Sequence, residues 1–164
     1  LNLNCETAAF LPVERRVGGG GAGGVRNREY HFHPQSPEHV GELQALDLRT
    51  GQMRWRQRRR TPYNTAALTT GGGLVFVGDW DRYVLAYDAQ SGAELWQTRL
   101  PHMTNGFPIT YAVDDVQYVA IGTGPSIGAS SWATLIPSEL LPEKKSPRAT
   151  GGIFVFAIGG EGGS

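Results

Sequence analysis

The feature that most constrains this chain is a pattern that occurs twice. Gly41-Glu-Leu-Gln-Ala-Leu-Asp47 runs into Leu-Arg-Thr-Gly51 and then Gln-Met-Arg-Trp55. Arg82-Tyr-Val-Leu-Ala-Tyr-Asp88 runs into Ala-Gln-Ser-Gly92 and then Ala-Glu-Leu-Trp96. Ala45 and Ala86, Asp47 and Asp88, Gly51 and Gly92, and Trp55 and Trp96 share one spacing of 41 residues. Four matched positions at one spacing define a repeat, and a period near 40 built of short strands marks a β-propeller blade.

Each conserved type in the repeat has a physical task. The Asp accepts hydrogen bonds from turn amides, and the Gly takes the φ > 0 position of a bulged hairpin. The small Ala lets a neighbouring element approach. Trp55 and Trp96 bring large apolar surfaces that wedge between adjacent blades and protect their edges. The fold class is therefore all-β, part of a propeller with Trp-docking repeats. Two full repeats and partial ones make about three blades, fewer than the four to eight that close a ring. The remaining blades must come from the rest of the polypeptide or from a partner chain.

Composition agrees. Gly 23 and Pro 10 in 164 residues supply many turns. Fifteen basic residues balance 15 acidic ones, which removes the electrostatic reason for a nucleic-acid or anionic-membrane partner. A single cysteine, Cys5, rules out an internal disulfide and a cysteine-based zinc site. No apolar run has the length of a membrane span. The chain starts at Leu1 with neither Met nor a signal peptide, and reads as a mature product, a processed subunit or a fragment.

Residues 1–40 read as an irregular, Gly-rich segment carrying strand ends of a preceding blade, with Gly18–Gly24 as a flexible stretch. Residues 41–158 read as propeller blades that include a long loop over 123–150, with one short turn of helix within 137–145. Residues 159–164 read as a flexible tail. Further strands are expected at Leu74–Gly78, Phe107–Tyr111, Val116–Gly122 and Gly152–Ile158. The charge run Arg54–Arg60 reads as a solvated strand edge, and Trp80 as an aromatic in a hairpin turn. His31, His33 and His39 lack a further ligand at metal-site spacing. Gly18–Gly24 lacks the Lys-Ser/Thr and the helix of a phosphate loop.

The segments Gly41–Trp55, Leu68–Gly78, Ala86–Trp96, Pro108-Ile-Thr-Tyr111, Gln117-Tyr-Val-Ala120 and Gly152–Ala157 together resemble the C-terminal part of the pyrroloquinoline-quinone (PQQ) dependent alcohol dehydrogenases, the methanol and ethanol dehydrogenase group. That resemblance implies an eight-bladed, periplasmic propeller enzyme. It implies PQQ on the ring axis with a Ca²⁺ or lanthanide ion, hydride transfer from a small alcohol to the quinone, and a cytochrome as electron acceptor. The cofactor would carry the redox step while the protein orients it. The family's metal ligands, catalytic Asp, adjacent cysteines and stacking Trp lie upstream of the matched region, so no catalytic or metal-ligating residue is expected here.

Three residues are cofactor-contact candidates on that resemblance. Tyr63 stands where relatives carry Trp. Asn64 matches the Asn that follows it. Trp132 lies four residues beyond the place of the Gly-Gly-Trp segment. The alternative function is a non-catalytic propeller of the same repeat type, serving as a protein-binding or assembly scaffold; an inactive truncated remnant is a further reading.

Overall fold

The computed structural model describes residues 2–3, 5–10, 28–124 and 151–159, and the side chains of 33–124 and 151–159. Trp132, most of the long loop, the helical turn expected within 137–145, Gly18–Gly24 and residues 160–164 lie outside the described residues. The described elements are all strands: β1 (Asn2–Leu3), β2 (Cys5–Phe10), β3 (Arg28–Phe32), β4 (Gly41–Leu46), β5 (Met53–Arg59), β6 (Leu68–Thr69), β7 (Leu74–Gly78), β8 (Tyr83–Asp88), β9 (Glu94–Arg99), β10 (Thr104–Val113), β11 (Val116–Thr123) and β12 (Gly152–Ile158). Among the described residues no helix is long and apolar enough to cross a membrane.

The strands pair antiparallel into one four-stranded sheet, β6-β7-β8-β9, and two three-stranded sheets, β1-β4-β5 and β10-β11-β12; β2 and β3 form a separate ladder. The first sheet order is a complete blade, and the three-stranded sheets are incomplete ones on either side of it. Backbones of the complete blade and the last sheet come closest where β10 meets β6 and β7. The blades therefore converge at β6 and β10 and fan apart toward β9, and side chains must fill the widening wedge.

The repeat builds the hairpins β4–β5 and β8–β9. In each, the Asp oxygen Oδ1 accepts two turn amides, from Arg49 and Thr50 at Asp47 and from Gln90 and Ser91 at Asp88. Gly51 and Gly92 take φ of 70° and 75°. Each hairpin carries a bulge at the same place, so that Ala45 pairs Trp55 and Ala86 pairs Trp96. The small Ala opposite each indole leaves the ring room to leave the sheet.

Side chains at alternate positions of a strand share a face, and three on β5 reach the next blade. Trp55 Nε1 donates to the Ala89 carbonyl at 2.9 Å. Gln57 Nε2 donates to the Gly92 carbonyl at 2.7 Å. Arg59 Nε donates to Asp79 Oδ2 at 2.8 Å. Gly92 is required twice over: its φ favours glycine, and a Cβ there would lie 2.6 Å from Trp55 Cδ2. Behind the indole, Leu43, Val75, Val77, Leu85 and Tyr87 form the core of the seam.

The equivalent face of β9 carries Trp96, and Leu100 follows just past the strand's end. Leu100 joins a buried cluster with Val84 and Ile121, but Trp96 is 38% exposed and meets Phe156 in a T-shaped contact, ring centroids 5.1 Å apart. The two tryptophans thus differ, contrary to the sequence expectation that both are wedged. The reason is the receiving turn. Trp55 docks on an Asp-turn of the next blade, whereas β12 ends in Ala157-Ile158-Gly159, with Gly159 where the repeat has Asp.

The arginine run also departs from its expected role as a solvated edge. Arg54 pairs with Asp47, Arg58 with Glu42 and Arg59 with Asp79, at 2.7, 2.7 and 2.8 Å. Strand alternation sends Arg59 into the seam, where its guanidinium lies 5.2 Å from the Tyr83 ring centroid.

Asp79 is fully buried, and its other oxygen accepts the Tyr83 amide at 2.9 Å. Burial pushes its carboxyl up to about 6, against the lowering pull of Arg59. The folded chain thus holds this proton more tightly than the unfolded chain, whose carboxyl is at its ordinary value near 4. Stability from that proton is complete below about pH 4 and is lost as pH rises through 6.

Two outcomes are expected. Trp55→Ala costs about 3–5 kcal/mol of stability, and Trp96→Ala roughly half that or less, in chemical denaturation; equal losses contradict the asymmetric docking. Thermal melts of the wild type gain about 1 kcal/mol from Asp79 between pH 7 and pH 5. Asp79→Asn removes that part of the pH dependence, and an unchanged profile in the variant contradicts the assignment.

Candidate functional site

The link from β5 to β6 begins with Thr61-Pro62-Tyr63-Asn64-Thr65 and lies along the end of β7. Asn64 donates its amide to the Gly78 carbonyl at 2.8 Å, Trp80 donates its amide to the Pro62 carbonyl at 3.0 Å, and Tyr63 bridges to Asp79. Thr65 Oγ1 accepts the Gly78 amide at 2.8 Å. Pro62 at this point gives up no ladder bond, because only its carbonyl is used. The segment is bonded to the end of β7 much as a strand would be, and it delivers Tyr63 and Asn64 to different surroundings.

Tyr63 packs against the seam core, and its hydroxyl lies 3.1 Å from the Tyr87 hydroxyl. Burial beside Tyr87 drives its phenol far above the ordinary range, so it stays neutral. Its hydroxyl is committed to the space between blades. Trp80, in the turn between β7 and β8, is half-buried.

Asn64 sits near the convergent end of the blades. Its Nδ2 donates to the Thr104 carbonyl at 2.6 Å, and Thr104 Oγ1 donates to the Asp79 carbonyl at 2.9 Å. Because the Thr104 partner is an acceptor, the amide orientation is fixed with nitrogen toward Thr104. The second Nδ2 hydrogen and the Oδ1 carbonyl remain for a ligand, on a side chain already held in place. Asn64 thus fits a contact to a polar, planar group such as PQQ. Of the other candidates, Tyr63 packs against the seam core, and Trp132 lies outside the described residues.

Among the described residues, no three His, Cys, Asp or Glu side chains converge as a metal site. The described residues therefore do not by themselves fit a metal centre. A polar cavity of about 360 Å³ opens beside the seam, lined by His39, Arg58, Arg59, Arg60, Thr61 and Asp81. Two of its arginines are spent on Glu42 and Asp79.

One feature of the inner edge is not apparent from the repeat. In β10, Asn105 pairs Gly122 and the next paired residue is Ile109, opposite Ala120. Residues 106–108 form a bulge, with Gly106 at φ 81° and Phe107 80% exposed. The signal for it was present as Gly106-Phe107-Pro108, since Gly and Pro inside an apolar strand mark a break in the ladder.

Comparisons with known proteins bear on this architecture. The sequence profile of the family described as PQQ, glucose/ethanol/alcohol dehydrogenase, beta-propeller domain, matches residues 31–119. The chain is 35% identical over 122 residues to a quinoprotein ethanol dehydrogenase of Pseudomonas putida, an alignment covering 74% of this chain and 19% of that protein. It is 34% identical over 140 residues to subunit 1 of a methanol dehydrogenase (cytochrome c) of Methylobacterium organophilum, covering 78% of this chain and 22% of that protein. A europium-containing methanol dehydrogenase structure superimposes with a TM-score of 0.64 at 26% identity, covering 80% of this chain and 26% of that one. The chain spans about a fifth of the length of the curated relatives it matches. With the profile covering more than half of its residues and the blade geometry in agreement, the chain belongs to the PQQ-dependent alcohol dehydrogenase β-propeller family.

Proposed function

We propose that this chain forms the C-terminal blades of a quinoprotein alcohol dehydrogenase, which oxidises a small primary alcohol and passes electrons to a cytochrome. The observation that carries the reading is Asn64: a side chain pinned by Thr104 at the convergent end of two blades, with polar capacity left over. PQQ, when bound, supplies the hydride-accepting carbonyl. The part of this chain is to hold and orient that group, because the catalytic aspartate and the ligands of a Ca²⁺ or lanthanide ion belong to other blades. Relatives named as ethanol, methanol and 1-butanol dehydrogenases, two of them with cytochrome c, support the reading. So does a metal-containing methanol dehydrogenase among the similar structures. A periplasmic location follows from the same reading.

The remaining blades are the principal partner. One face of β10-β11-β12 leaves Ile109 58%, Val113 51%, Ile153 78% and Val155 49% exposed, more apolar surface than an isolated sheet keeps in water. A following blade of the same propeller covers it.

The test is reconstitution of the complete protein with PQQ and either Ca²⁺ or a lanthanide, followed by dye-linked alcohol oxidation. Binding of PQQ and reduction of the dye are expected; a protein that does neither is a scaffold, and the reading fails. In the same protein Asn64→Ala weakens PQQ binding about tenfold, the worth of one to two hydrogen bonds, measured by fluorescence titration. Tyr63→Phe, whose hydroxyl serves Tyr87, leaves PQQ affinity unchanged.

A further inference from the structure

We propose that Phe107 forms an apolar wall for the hydrocarbon chain of the alcohol and sets the preference of the enzyme for longer primary alcohols; this rests on the alcohol-oxidising function proposed above. The argument begins with topology. β10 is an edge strand of its sheet, and it is the strand that most closely approaches the complete blade, at β6 and β7. Its unpaired edge therefore faces the centre toward which the blades converge. Thr104, at its start, is the residue Asn64 holds through its carbonyl, so Phe107 stands three residues along the strand from the Asn64 contact.

The bulge singles this residue out. Two extra residues on β10 lie between the pairs Asn105–Gly122 and Ile109–Ala120. Phe107 thus has no partner on β11. Gly106, at φ 81°, permits the turn of the backbone, and Pro108, which is buried, needs no ladder bond for its missing N–H. Bulges commonly re-aim a side chain beside an active site. Here the unpaired side chain is the most exposed aromatic among the described residues.

The chemistry chooses the ligand. A phenyl ring offers no hydrogen bond, so it gives nothing to the carboxylates and carbonyls of a quinone cofactor; Asn64 does that. What it does reward is removal of methylene groups from water. Ethanol has little carbon beyond the reacting centre to place against it, whereas 1-butanol and 1-hexanol do.

The experiment uses the complete protein loaded with PQQ and metal. We expect Phe107→Ala to lower the ratio of kcat/KM for 1-hexanol to that for ethanol by about fourfold for each methylene that the ring contacts, and Phe107→Leu to restore most of it. An unchanged ratio in Phe107→Ala overturns the proposal while leaving the alcohol dehydrogenase reading intact. Phe107→Trp supplies a readout without turnover: the emission it adds over the wild type is quenched on PQQ loading, and absence of that quenching overturns the inward placement. Failure of the wild type itself to take up PQQ in the same titration defeats the function reading and this inference together.

Discussion

The docking of Trp55 on the turn of the following blade is the interaction on which the rest of this structure depends. Strand pairing holds each blade together but does nothing between blades, and the sheets splay outward from their convergent edge. A gap of that shape collapses or fills with water unless a large side chain occupies it. The indole does so at little polar cost, because its N–H is satisfied by the Ala89 carbonyl and its ring lies over Gly92, where no Cβ intervenes. Gln57 and Arg59 then extend the same contact inward along β5.

That seam also anchors the link from β5 to β6 on which Asn64 lies. Arg59 and Asp79 meet where the link from β5 to β6 turns, and the backbone of that link is bonded to Gly78 and Trp80 beside them. A buried carboxylate in such a place is costly unless it is paired and hydrogen-bonded. Arg59 and the Tyr83 amide each reduce that cost, and the raised proton affinity is what remains of it. Asn64 is positioned by this scaffold rather than by its own turn, since its two bonds go to Gly78 and Thr104, on β7 and β10. A side chain held between the four-stranded sheet and β10 keeps its place only while those two sheets keep theirs.

The last sheet shows what happens when the repeat stops. β12 has no fourth strand beside it among the described residues, Trp96 finds Phe156 instead of an Asp-turn, and a band of isoleucine and valine faces outward. These are the features of a blade that packs against another. They agree with a chain spanning only a fraction of its relatives' length.

Much of the fold was legible in the residues. The Asp, Gly, Ala and Trp positions act locally or across one hairpin, so their spacing alone specified the two repeat hairpins, the glycine conformations and the blade architecture. The arginine run was not legible as what it is. Its outcome depends on which strand face meets Asp79, and Asp79 comes from another blade. Tyr63 and Asn64 are neighbours in sequence, yet one turns into the seam and the other holds Thr104; no local rule separates them. The difference between Trp55 and Trp96 likewise depends on the receiving turn, and the exposure of Phe107 on a bulge that shifts register between β10 and β11. Sequence by itself determined the blades, because hairpin chemistry is short-range. Tertiary structure decided which side chains turn into a seam and which stay open at the convergent edge, because that depends on how neighbouring blades meet.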